Sequence, residues 1–184
     1  AFYRMAFATA LLAPFALPAV RRSVPTLGRR QHLLLVASGV ALALHFATWT
    51  SSLSHTSIAS SVLLVNTAPI FALLLSRTFL GERVDRIVLA AIGLAFVGAA
   101  IIAASDWGRA PSTLFGNLLA VAGAVTLAGH HVVGRGLRNA LPLHVYVLWV
   151  WAVAALALGV IAVPLGAPFV PHPPRAWLGF LALA

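Results

Sequence analysis

The chain has 184 residues, of which 61 % are hydrophobic and only 8 % charged, against roughly a quarter charged in an ordinary water-soluble domain. So little charge cannot cover a soluble fold, and the apolar residues come in runs of about 20, the length that crosses a hydrocarbon layer. The net charge of +9 comes from short arginine clusters between those runs, not from one basic face, which excludes a nucleic-acid surface, and the absence of cysteine excludes disulfides, thiolate metal sites and cysteine nucleophiles.

Taken in chain order, the apolar runs predict spans from Phe2 to Val20, Leu33 to Ser51, Ser57 to Ser76, Ile87 to Ala104, Leu114 to Gly134 and Leu143 to Val163. A broken seventh begins at Ala176 and stops with the sequence. The links are short and carry breakers: Pro25 with Gly28, then Gly81, Gly108 with Pro111, Pro142, and a proline-rich stretch from Pro164 to Pro174. Short links predict antiparallel neighbouring helices. The sequence opens without methionine or a charged leader and closes inside an apolar run, so a longer natural protein is expected.

The arginines alternate by loop. Arg21, Arg22, Arg29, Arg30, Arg77, Arg83, Arg86, Arg135 and Arg138 fall in the first, third and fifth loops, while the other side holds only Arg4, Arg109 and Arg175. The positive-inside rule then places the loops near residues 21–32, 77–86 and 135–142 in the cytoplasm. The first span runs inward, and one further helix upstream completes the topology most simply.

No Asp or Glu lies inside a span: Glu82 and Asp85 are in a loop and Asp106 is at a helix end. Any ion coupling would therefore fall to a histidine or to helices not in this chain. On the second span Ser38, His45, Trp49 and Ser52 recur at intervals of seven, four and three and share one face, expected to point into the bundle. There His45 would hydrogen-bond a solute and Trp49 pack on it; helix packing, or an interfacial anchor at Trp49, is the competing role.

On the third span Asn66 lies three residues before Pro69. Proline cannot donate to the Val65 carbonyl, so a kink is expected at membrane depth, where bent helices commonly build transport sites. The alternative is that Asn66 or Thr67 only re-satisfies the bent backbone. On the fifth span Thr126 and His130 lie one turn apart, and Gly116, Ala120 and Gly123 invite close approach of another helix. Ala91, Ala95 and Ala99 make a second small-residue stripe expected to pack.

Adjacent His130 and His131 point in different directions, and the histidine spacings suit no haem pair, so no metal or cofactor is expected. No GxSxG elbow or intramembrane carboxylate supports a hydrolase, which leaves a Ser61–His45 dyad as the enzymatic alternative.

The run from His45 to Val84, HFATWTSSLSHTSIASSVLLVNTAPIFALLLSRTFLGERV, resembles an EamA-type member of the drug/metabolite transporter superfamily. Its most specific parts are Thr56 to Ser61, the mid-span Pro69 and the turn Leu80, Gly81, Glu82, Arg83. Phe115 to Arg138 resembles the start of that family's second repeat. The resemblance implies an all-α polytopic membrane protein, part of a ten-helix bundle of two inverted five-helix repeats. On that template residues 1–104 are helices two to five of the first repeat, 105–113 the linker and 114–184 helices six to eight of the second. Both its first helix and its last two would be missing. In this frame Pro69, Gly81, Glu82 and Arg83 shape or gate the third span, with Glu82 pairing Arg83 or Arg86 or accepting from the amides that start the next helix.

The expected function is transport of small organic metabolites such as amino acids, exported by alternating access across the cell's inner or plasma membrane. The solute path would be a central cavity between the repeats, lined by His45, Trp49, Asn66, Thr126 and His130. Partners would be the solute and membrane lipid, with no nucleic acid, no cofactor and no catalytic residue. A membrane-embedded enzyme or a non-transporting scaffold is the competing class.

Overall fold

A computed structural model describes residues 1–81, 85–105, 113–137, 140–164, 166 and 177. The predicted run from Ala176, apart from Trp177, lies outside the described residues, as do Glu82, Arg83, Arg138 and most of the 105–113 linker. Among the described residues every regular element is helical: α1 Phe2–Ser23, a 3-10 turn Val24–Thr26, α2 Arg29–Ser52, α3 Ile58–Val65, α4 Ala68–Leu80, α5 Arg86–Ser105, α6 Leu114–Leu137 and α7 Leu143–Ala162. α1, α2, the α3–α4 pair, α6 and α7 are each long and apolar enough to cross a membrane. With about 1.5 Å of rise per residue, the 20 residues of α5 reach a similar length.

Several helices outrun their apolar cores at the arginine-rich ends. α1 continues through Arg21 and Arg22 to Ser23, and α2 starts at Arg29, four residues before the predicted Leu33. Hydropathy marks where lipid must be crossed, whereas helical hydrogen bonding carries on into the headgroup layer, where arginine stems lie along the helix. The start of α2 has its own local support: the Gly28 N–H donates to Gln31 Oε1 at 2.8 Å. α1 also contains Pro14 and Pro18, which withdraw donors from the carbonyls of Ala10 and Pro14 without ending the helix.

The third predicted span departs most from expectation. Instead of one kinked helix it is two, α3 and α4, separated at Asn66 and Thr67. Pro69 therefore sits in the first turn of α4, where its missing N–H removes no helical bond. Ser57 caps α3 by accepting from the Ser60 N–H at 3.0 Å. At the far end Gly81 closes α4 in the left-handed conformation, φ 66°, its N–H returning to the Ser76 carbonyl. Asp85 then accepts from the Ile87 N–H at 3.1 Å, so an amide at the start of α5 is met by Asp85.

The chain forms two compact units, Ala1–Ala43 with Val133–Ala184, and Leu44–Val132. In the first, α1 packs along α7. Gly159 near the end of α7 lies under Phe2 at the start of α1: a Cβ there would stand 3.3 Å from the Phe2 ring, so the two helices run antiparallel. Tyr3 meets Trp177 edge-on at 4.9 Å. A Cβ at Gly39 would stand 2.5 Å from the Val153 Cβ, which brings α2 and α7 together nearly backbone to backbone. Tyr146 fills the remaining gap, its hydroxyl 2.6 Å from Ser38 Oγ and 2.7 Å from where a Gly134 Cβ would be.

In the Leu44–Val132 unit, α3 contacts α5, and Ala72 of α4 packs on Ala128 and Val132 of α6 with Phe71 and Leu75 beside them. Ala91 and Ala95 of α5 are exposed, so the predicted small-residue stripe does not pack among the described residues. The glycines of α6 do. A Cβ on Gly116 would fall 2.6 Å from the His55 carbonyl, pressing α6 against the turn between α2 and α3.

Candidate functional site

Within the Leu44–Val132 unit, polar side chains gather where α2 and α3 meet α6. Gly123 makes the approach possible: a Cβ there would meet Thr48 Oγ1 at 3.2 Å and Trp49 Cβ and Val65 Cγ2 at 3.4 Å. The missing side chain also bares the Gly123 carbonyl, and His45 Nδ1 lies 2.9 Å from it. A carbonyl only accepts, so Nδ1 carries the proton. The neutral imidazole then keeps its free lone pair on Nε2, as an acceptor. Thr126 Oγ1 also donates to the Gly123 carbonyl, at 3.1 Å, and to that of Ala122 at 2.9 Å.

An aromatic wall continues from His45. Trp49, one turn further on α2, stacks on the imidazole with centroids 5.6 Å apart and planes 17° apart, and Phe46 tilts against both. The Trp49 indole Nε1 is buried and has no hydrogen-bond partner among the described residues.

Past Trp49 the polar contacts become hydroxyl pairs. Ser52 Oγ donates to the Trp49 carbonyl at 2.7 Å and lies 2.6 Å from Ser61 Oγ, both serines being fully buried. Since Ser52 has spent its one proton on the carbonyl, Ser61 is the donor in the pair. Thr56 donates to Asn117 Oδ1 at 2.8 Å, and Thr113 donates to the His55 carbonyl. These bonds tie the α2–α3 turn to the start of α6.

The predicted residues are thus only partly brought together. His45, Trp49 and Thr126 converge on Gly123. Asn66 ends α3 one residue beyond Val65, with its side chain exposed, and it is Thr67 that re-satisfies the interrupted backbone, its hydroxyl donating to the Leu64 carbonyl at 2.6 Å. His130 lies seven residues beyond Gly123, about 10 Å along α6, half-buried with its ring 5.4 Å from that of His131. Ser38 shares the helix but bonds Tyr146 in the other unit's core. Ser61 and His45 form no dyad: the serine proton goes to Ser52 and the Nδ1 proton to Gly123.

The EamA-like transporter family model matches residues 1–104. The chain belongs to the EamA-like transporter family. No curated protein matches it. As an EamA-like transporter it is a multi-pass helical membrane protein of a solute-handling family. The matched segment carries His45, Trp49, Asn66 and Pro69, while Thr126 and His130 lie beyond it.

Two features of this EamA-like transporter escape sequence reasoning. The Gly123 carbonyl, the acceptor on which the site converges, is backbone and has no letter of its own, although the spacing of Gly116 and Gly123 does signal close approach. Tyr146 likewise reads as one apolar residue among many until Ser38 and Gly134 are found against it.

Proposed function

We propose that this EamA-like transporter exports small organic metabolites, amino acids among them, by alternating access across the cell's inner or plasma membrane. The observation carrying this reading is the meeting of neutral polar groups from two helices inside a span, His45 and Thr126 at the Gly123 carbonyl, with Trp49 stacked beside them. Polar groups at that depth are costly in lipid and are kept where a solute or ion passes. The interruption of the third span at Asn66 adjoins the cluster through Val65, and Asn66 brings an exposed amide to the same path. His130 would serve its cytoplasmic end, and Gly81, Glu82 and Arg83 would set the angle of α4.

Residues 1–104 and 114–184 would be parts of two inverted repeats, joined by the 105–113 linker. With no carboxylate inside the spans and their arginines near the helix ends, neutral and zwitterionic solutes suit the path better than multiply charged ones.

Transport is tested with the full-length protein in proteoliposomes loaded with a metabolite mixture. His45→Ala, Trp49→Ala and Asn66→Ala are each expected to slow efflux of the exported solutes about tenfold, the loss of roughly one hydrogen bond or ring contact. Unchanged rates for every solute in all three variants would remove the assigned roles. Orientation has a separate test, because the sequence holds no cysteine. A membrane-impermeant maleimide added to intact cells is expected to label Ser54→Cys and spare Ser23→Cys, and the reverse pattern would invert the topology.

A further inference from the structure

The Trp49 indole is a buried donor that its surroundings leave unanswered. Among the described residues Nε1 has no partner: neither the Thr48 hydroxyl, which donates to the Leu44 carbonyl at 2.8 Å, nor the Ser52 hydroxyl, which donates to that of Trp49 at 2.7 Å, accepts from it. An indole nitrogen only donates, and buried donors in native proteins are nearly always paired, so an orphan calls for an acceptor from outside the chain. One other described indole, that of Trp149, shares the condition, but among the described residues it stacks on no ring. Trp49 instead stacks on His45, whose Nδ1–H bond to Gly123 leaves Nε2 as an acceptor. An unpaired donor and an imidazole acceptor therefore sit on neighbouring parallel rings.

We propose that Trp49 is the specificity-determining donor of the solute site: its indole N–H binds a carbonyl or carboxylate oxygen of the solute, while His45 Nε2 takes an N–H or O–H from the same polar head. The inference rests on the transport reading above and narrows it. The solutes selected carry an acceptor oxygen and a donor hydrogen on adjacent groups, with an apolar remainder that lies on the aromatic wall. A primary carboxamide is the simplest such head.

The test uses full-length protein in nanodiscs, 15N-labelled at its indoles, with the Trp49 signal identified by its loss in Trp49→Phe, a change that keeps an aromatic ring and removes the N–H together with the pyrrole half of the indole. Butyramide at millimolar concentration is expected to move the Trp49 indole proton downfield. Thiobutyramide, of the same shape but with sulfur as a poor acceptor, should move it much less. Trp49→Phe should raise the apparent Kd for butyramide about tenfold, as expected for one lost hydrogen bond, while the other indole signals stay in place and report an intact fold.

Lipid ester carbonyls offer the same acceptor chemistry, so the measurement is repeated in ether-linked phospholipid. Equal shifts in both lipids support the solute as the source; a resonance that follows the lipid linkage assigns the indole to lipid and overturns the proposal. A Trp49 signal indifferent to butyramide, in protein that does export metabolites, overturns this inference alone. Failure of the full-length protein to transport any metabolite overturns the reading beneath it.

Discussion

In the unit formed by Ala1–Ala43 and Val133–Ala184, helices meet mainly where glycine makes room for a neighbour: Gly39 under Val153, Gly134 under the Tyr146 hydroxyl, Gly159 under Phe2. The side-chain hydrogen bond between Ser38 and Tyr146 joins that packing. In the Leu44–Val132 unit glycines again set the approach, at Gly116 and Gly123, but each is followed by polar pairing: Thr56 with Asn117 at one, His45 and Thr126 at the other, and Ser52 with Ser61 between them. Lipid tails are as apolar as leucine, so packing and hydrogen bonds hold membrane helices together without a hydrophobic drive. Close approach at glycines is prominent in the first unit. The second adds pairs of neutral polar groups, the chemistry that the proposed solute path calls for.

The comparison breaks most readily at its glycines. Gly39→Ala and Gly116→Ala should each lower the thermal unfolding temperature in detergent by an amount equivalent to about 2 kcal/mol or more, the usual cost of overpacking. Their rescue should differ. The new methyl at Gly39 strikes Val153 at its Cβ and Cγ1, so Val153→Gly, which removes both, should restore part of the loss, whereas the Gly116 methyl strikes the His55 backbone, which no side-chain change relieves. Equal rescue of both would mean that the two contacts are of one kind.

A smaller effect separates the buried serines. Ser52→Ala leaves the Ser61 proton without its acceptor and should cost about 1–2 kcal/mol; Ser61→Ala leaves Ser52 still bonded to the Trp49 carbonyl and should cost about 0.6 kcal/mol. The opposite order, by denaturation in mixed micelles, would reverse the direction assigned to that bond. The smallest change is expected at Tyr146→Phe, about 0.6 kcal/mol, because the ring keeps its packing while the bond to Ser38 is lost. A loss above about 2 kcal/mol there would show the first unit to depend on polar pairing after all.

Much of the architecture is legible in the amino-acid order because lipid imposes a one-dimensional rule. A span must be about 20 apolar residues long, and its backbone must be satisfied internally, so hydropathy alone marks the helices through α7. Their ends are less legible, since α1 and α2 extend into charged sequence that hydropathy treats as loop. Pro69 signals an irregular third span but not its form: the helix stops at Asn66 and restarts with Pro69 in the first turn of α4, which costs less than carrying the proline mid-helix.

By itself, then, the sequence determines that this is a polytopic helical membrane protein, where its charge lies, and which face of α2 is polar. Tertiary structure alone decides the partners on that face: His45 takes the Gly123 carbonyl, Ser61 takes Ser52 and not His45, Ser38 takes Tyr146, and Trp49 is left with a buried donor. The reason is geometric. Rotation of one helix against another is set by the side chains that glycine omits, and the acceptors so exposed are backbone carbonyls common to every residue.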